Sequence, residues 1–103
     1  MPMLELRPSC EHCNKPLPPE STEAMICTFE CTFCKDCVEL LENVCPNCGG
    51  GFCQRPNRPQ TNWKDGIFLD NYPASENVVY HPVDLDIHSQ FAAKIKSIPP
   101  EQR

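Results

Sequence analysis

Cysteines occupy one half of this chain in a fixed rhythm: Cys10-x2-Cys13, then thirteen residues, Cys27-x3-Cys31-x2-Cys34-x2-Cys37, then seven residues, Cys45-x2-Cys48, with Cys53 left over. No other feature restricts the fold as strongly. Nine cysteines in 103 residues far exceeds ordinary usage and leaves two explanations, a secreted disulfide scaffold or a reduced metal-binding module. The chain opens MPMLELRPSC, which has neither the charged nor the apolar segment of a secretion signal. An odd count would also strand one thiol. No apolar run approaches the roughly 20 residues of a membrane span. The expected compartment is therefore the reducing cytoplasm, with no membrane partner, and the cysteines are expected to be metal ligands.

The pairs have a chemical reason. Two thiolates separated by two residues grip one side of a tetrahedral ion at about 2.3 Å per Zn–S bond, and two such knuckles close a site. Eight cysteines therefore predict two closed sites, each with four thiolates. All-thiolate ligation favours zinc over hard cations, and iron–sulfur clusters use different cysteine runs. A closed site offers no position to water or substrate, so both Zn2+ ions are expected to be structural, with no catalytic residue and no enzyme activity. A module of about 50 residues has little core of its own. Structural zinc, worth on the order of 10–16 kcal/mol in small fingers, would dominate its stability. Two pairings satisfy the spacing. A sequential one joins Cys10, Cys13, Cys27 and Cys31, then Cys34, Cys37, Cys45 and Cys48. An interleaved one joins Cys10, Cys13, Cys34 and Cys37, then Cys27, Cys31, Cys45 and Cys48.

Composition divides the chain. All the cysteines precede residue 54, and QRPNRPQTNWK after them is polar and proline-containing. This predicts a two-zinc module over 1–55, a linker over 56–64 and a tail over 65–103. Within the module, MLEL (3–6) reads as a short strand and EAMICTFECTF as a hairpin. DCVELLENV reads as a helix with Asp36 as N-cap and with Val38, Leu41 and Val44 on one side. FCQ reads as a closing strand. In the tail, DLDIHSQFAAKIKSIPP predicts an amphipathic helix over about 85–97. Its expected apolar stripe is Ile87, Phe91 and Ile95 with Ala92, its ends match the helix dipole, and Pro99–Pro100 stop it. Such a stripe docks on something: its own module first, or a second copy, which would make the tail a route to homo-oligomers.

The order of the gaps resembles a RING finger. TFCKDCV (32–38) is similar to that family's aromatic–cysteine knuckle, and CPNC (45–48) to its last pair. The resemblance implies a small zinc-stabilised α+β fold in which a cross-brace interleaves the two sites: Cys10, Cys13, Cys34 and Cys37 for one, Cys27, Cys31, Cys45 and Cys48 for the other. Cys31 stands where the family usually has His. LIM domains share the dense central run but bind sequentially and end on a much longer gap than seven. More specifically, MLELRPSCEHC, LPPESTEAMICTFECTFCKDC and CPNCGG resemble a bacterial family of small cysteine-rich proteins of unknown function. That resemblance covers residues 3–58 and implies zinc without an activity.

RING ligases carry an apolar residue after the first ligand, a large apolar residue in the helix, and a cation after the last ligand. Here those places hold Glu11, Leu41 and Gly49. A ubiquitin-like ligase is therefore the alternative to a structural interaction module with a protein partner. A nucleic-acid-binding finger is the third reading. The formal net charge of -5, made more negative by eight thiolates on two divalent ions, argues against it. It would need Arg7, Lys15, Lys35 and Arg55 on one face. Among the remaining residues, Cys53 is expected to be a packed thiol, His12, His81 and His88 non-ligands, Phe29 and Phe33 a small core, and Trp63 and Tyr72 anchors of the tail.

Overall fold

The computed structural model describes residues 3–103. A three-stranded antiparallel sheet forms the centre of the module, in the order β2-β1-β3. Strand β1 spans Ala24–Ile26, β2 Thr32–Cys34 and β3 Cys53–Gln54. The expected hairpin is β1–β2, in the register Ala24↔Cys34, Met25↔Phe33 and Ile26↔Thr32. The expected closing strand, β3, pairs on the other side of β1. The segment 3–6 does not form a strand. Leu6 is buried and the Leu6 carbonyl accepts from Ser75 N–H, so this stretch is held by contacts from distant residues instead of a ladder.

Helix α1 spans Lys35–Leu40, and its N-cap is Cys34, not Asp36, which sits in the first turn. Glu42 and Asn43 both take left-handed backbone, with φ 55° and 58°. This ends the helix earlier than apolar periodicity suggested. Val38, Leu41 and Val44 are nevertheless all buried, because the chain carries the same face past the helix end. Phe33 and Phe52 meet edge to face, with ring centroids 5.4 Å apart, in a core shared with Leu17, Ala24 and the cysteines. Phe29, by contrast, is exposed at the tip of the hairpin.

Arg55 crosses this core. It is fully buried, and its guanidinium donates to the carbonyls of Arg7 (2.9 Å), Leu17 (3.1 Å) and Pro18 (3.0 Å). A residue that stands in the polar, proline-containing stretch after the last cysteine thus ties three separate backbone positions together. Arg58 does similar work outside, donating to Leu4, Tyr72 and Pro73 carbonyls.

In the tail, α2 spans Leu85–Ala93, capped by the Asp84 carboxylate, which accepts from the N–H groups of Asp86 and Ile87. It ends about a turn before the expected boundary, with turns following, and a 3-10 turn forms at Pro100–Gln102. The buried face is also shifted: His88 and Ala92 are buried, Ile95 is half-buried, and Ile87 is 67% exposed. The helix rests on its own module, with Phe91 and Ile95 against Gly49. Trp63, at 81% exposure, anchors nothing. No described helix is long and apolar enough to cross a membrane.

Candidate metal centre

Two local structures recur with the same hydrogen bonds. In the first, Asn14 N–H donates to Cys10 O (3.0 Å) and Cys10 N–H to Lys15 O (2.9 Å). In the second, Gly49 N–H donates to Cys45 O (2.8 Å) and Cys45 N–H to Gly50 O (2.8 Å). Each needs a left-handed residue directly after its second cysteine, Asn14 (φ 63°) and Gly49 (φ 79°). Asparagine and glycine are the residues that accept this conformation most readily. In each, the next N–H points at the second cysteine: Gly50 N–H lies 3.4 Å from Cys48 Sγ, and Lys15 N–H bonds the Cys13 sulfur. N–H groups aimed at sulfur favour the charged thiolate, the form that binds metal.

The hairpin and α1 supply the other cysteines. Cys27 and Cys31 close the β1–β2 turn, where Phe29 N–H donates to Cys27 Sγ (3.4 Å). Cys34 ends β2 and Cys37 lies one turn into α1. Successive pairs thus leave the strand on opposite sides of Phe33.

The sulfurs of Cys10, Cys13, Cys34 and Cys37 all lie within 4.8 Å of one another, with Cys13 Sγ 3.8 Å from Cys34 Sγ. A second cluster on the same criterion holds Cys27, Cys45 and Cys48. Cys31 stands beside it: its thiol interacts with that of Cys27 and accepts from Asn47 Nδ2 at 3.4 Å, but it does not join the mutual trio. Cys53 is exposed rather than packed.

The electrostatics of each cluster are divided. Burial pushes the Cys34 and Cys37 thiols up, and burial likewise raises Cys45 and Cys31. Burial also works against ionisation of Cys13, yet the Lys15 N–H and the neighbouring thiols leave it below its ordinary value. At Cys27 the Phe29 and Cys31 N–H groups outweigh burial in the same way. Four crowded sulfurs cannot all be anionic unless a cation lies among them. A soft divalent ion would supply that charge, so the donor set fits a metal, and all-sulfur donors suit zinc.

Residues outside the cysteines brace the first cluster. Glu11 is buried, accepts from Thr32 N–H (2.6 Å) and from Arg7 Nη1 (2.7 Å), and exchanges a backbone bond with Thr32 as well. It therefore ties the Cys10–Cys13 knuckle to the start of β2. A buried carboxylate is rare, and sequence gave no hint that Arg7, four residues away, would accompany it. His12 accepts at Nδ1 from Val83 N–H (2.9 Å), and His88 donates from Nε2 to Val44 O (2.8 Å).

Residues 3–58 match the family described as "Protein of unknown function (DUF1272)". The chain belongs to this family. Over 81 residues it is 53% identical to an uncharacterized protein of Rhizobium meliloti (strain 1021), an overlap that takes in 78% of this chain and 89% of that protein. The overlap is longer than the family segment and therefore runs into the tail. No solved structure matches the chain.

Proposed function

We propose that this protein is a zinc-stabilised interaction module of the cytoplasm, with two structural ions in a RING-like cross-brace. Cys10, Cys13, Cys34 and Cys37 hold one ion; Cys27, Cys31, Cys45 and Cys48 hold the other. The observation that carries this reading is the mutual approach of Cys10 and Cys13 to Cys34 and Cys37, across the intervening segment 14–33 that contains Cys27 and Cys31. Cys31 is assigned to the second set by the RING-like order of gaps, and its backbone bond with Cys27 (3.3 Å) supports that assignment.

A protein is the proposed partner. Of the four cations a nucleic-acid face would need, Arg55 is buried, Arg7 is committed to Glu5 and Glu11, and Lys15 is paired with Glu23. The three places a ligase would present to a conjugating enzyme also favour an interaction role. Glu11 and Leu41 are buried, and Gly49 lies under Phe91 and Ile95.

Native mass spectrometry of the full chain, purified with zinc and without reductive alkylation, tests the reading. Two zinc ions per chain are expected. Cys34→Ser should disturb the ion held with Cys10 and leave one bound. A chain carrying one ion or none, or disulfides in place of metal, overturns the proposal.

A further inference from the structure

The tail meets the module in two separate places. Ser75 N–H donates to Leu6 O (3.0 Å), His81 N–H to Glu11 O (2.8 Å) and Val83 N–H to His12 Nδ1 (2.9 Å). These contacts lie on and beside the Cys10–Cys13 knuckle. Beyond Asp84, every hydrogen bond from the tail to the module among the described residues ends on a different segment. Lys96 pairs with Glu42 (3.2 Å), His88 with Val44 O (2.8 Å), and Arg103 with Asn43 O (2.8 Å) and Gly49 O (3.2 Å). Pro100 sits so close to Gly51 that a methyl there would come within 2.9 Å of its Cγ. The segment 42–51 is the loop that carries Cys45 and Cys48.

That loop is held on the α1 side, by Asn43 N–H to Val38 O (3.1 Å), Val44 N–H to Leu41 O (3.0 Å) and the burial of Val44 and Cys45. Glu42 and Asn43 hold left-handed backbone, a state that asparagine accepts but that is unfavourable for glutamate. The Asn43 carboxamide accepts from Phe52 N–H (2.9 Å). Toward the hairpin, the polar contacts among the described residues run through sulfur: Cys45 and Cys48 meet Cys27, while Cys31 reaches the loop by its 3.4 Å contact with Asn47. Sulfurs alone supply little attraction. A divalent ion among them would fix the loop to the hairpin, and with it the platform on which α2 rests.

We propose that the tail beyond Asp84 is a strap whose docking depends on the ion in the second cluster and not on the ion in the first. The inference rests on the two-site reading above. When the second ion leaves, the 42–51 loop loosens, α2 and the C-terminal turn detach, and the His88–Ala92 face is uncovered. The 75–83 segment stays on the first knuckle. Coupling of this kind is reciprocal, so undocking the strap must weaken the second ion by the same factor.

Metal content of the full chain is measured first. Fewer than two ions overturns the two-site reading, and the inference with it; two ions bound with an indifferent tail overturns the inference alone. Hydrogen-exchange mass spectrometry then compares Cys48→Ser with Cys13→Ser, the exposed cysteine of each cluster. In Cys48→Ser, exchange over 85–98 is expected to rise about tenfold while 75–83 changes less than about threefold. In Cys13→Ser the pattern should reverse. Equal protection of 85–98 in a one-ion Cys48→Ser protein overturns the strap. If Cys48→Ser unfolds the module, the reciprocal experiment decides. The double variant His88→Ala, Arg103→Ala keeps every cysteine, and the equilibrium partition of zinc between it and a chromogenic chelator is measured. One of the two ions should bind about tenfold more weakly and the other with native affinity. Unchanged affinity, or equal weakening of both ions, overturns the proposal.

Discussion

Residues 3–58 and residues 59–103 meet the difficulty of small size in different ways. The first region buries Leu6, Leu17, Phe33, Leu41, Val44 and Phe52 around the cysteines. The second buries Ala92 and His88 and leaves Trp63, Ile67, Val78, Tyr80 and Ile87 more than half exposed or close to it. One is a core, the other a strap fastened by hydrogen bonds and one exposed ion pair. Burial of apolar area is worth roughly 25 cal/mol per Å², so the strap contributes little by that route. It borrows its shape from the surface it lies on.

The largest expected effect removes what sets the two apart. Stripping metal with a strong chelator should unfold residues 8–53, because the joint loss of two ions, on the order of 10 kcal/mol each, exceeds the roughly 5–15 kcal/mol of an ordinary small domain. Circular dichroism and limited proteolysis would follow it. Spectra and cleavage patterns unchanged by chelation would mean that the Phe33–Phe52 core suffices alone.

Arg55→Ala ranks next. The substitution strands the carbonyls of Arg7, Leu17 and Pro18 and empties a fully buried volume. A loss of about 3–5 kcal/mol is expected from the unpaired acceptors together with the cavity. Thermal melts of the zinc-loaded protein measure it. A loss under about 1 kcal/mol, the scale of a surface change, would place Arg55 with the linker after all.

Much of the module was legible from the cysteines and the β-branched and aromatic run between them. The hairpin and the closing strand follow from local patterns of that kind, whereas the spacing left two pairings open and the interleaved membership came from the RING-like order of gaps. Arg55 was not legible, because its partners are backbone carbonyls up to 48 residues away, and backbone acceptors leave no mark in a sequence. Glu11 read as a missing apolar residue, when it is a buried carboxylate bound to Thr32 N–H. The tail helix was found by period, yet its buried face was set by the platform at 42–51. Gly49 leaves room for Phe91 and Ile95, and this rotates Ile87 outward. The short strand expected at 3–6 failed for the same reason: apolar alternation there serves burial without a neighbouring strand.

Acidity acts inside the first region, on both clusters alike. Burial raises Cys34 and Cys37 in one cluster and Cys31 and Cys45 in the other. The metal-free chain therefore holds protons on these thiols at neutral pH. An ion must displace at least those two protons per cluster, so affinity falls as pH falls. Lowering the pH from 7 to 6 should weaken each ion by at least about 100-fold. Cys13 and Cys27, held below their ordinary values, ionise first and add less to this slope. Competition titrations at the two pH values check it. A slope under about one decade per unit would mean that the buried thiols are already ionised without metal.

The smallest expected effect comes from the most exposed aromatic. Trp63 is the single tryptophan of the chain. It lies at 81% exposure, and its own N–H bonds to Thr61 O (2.9 Å) within the same turn. Trp63→Ala should change stability by no more than about 0.5 kcal/mol, since surface substitutions away from caps, cores and buried networks rarely do more. Its fluorescence should also stay at the same water-exposed wavelength while chelation unfolds the module. A Trp63 emission that moves together with the circular dichroism signal would place the 59–72 segment within the cooperative unit. The boundary between core and strap would then lie beyond Tyr72, on the far side of the carbonyls that Arg58 already ties to Leu4.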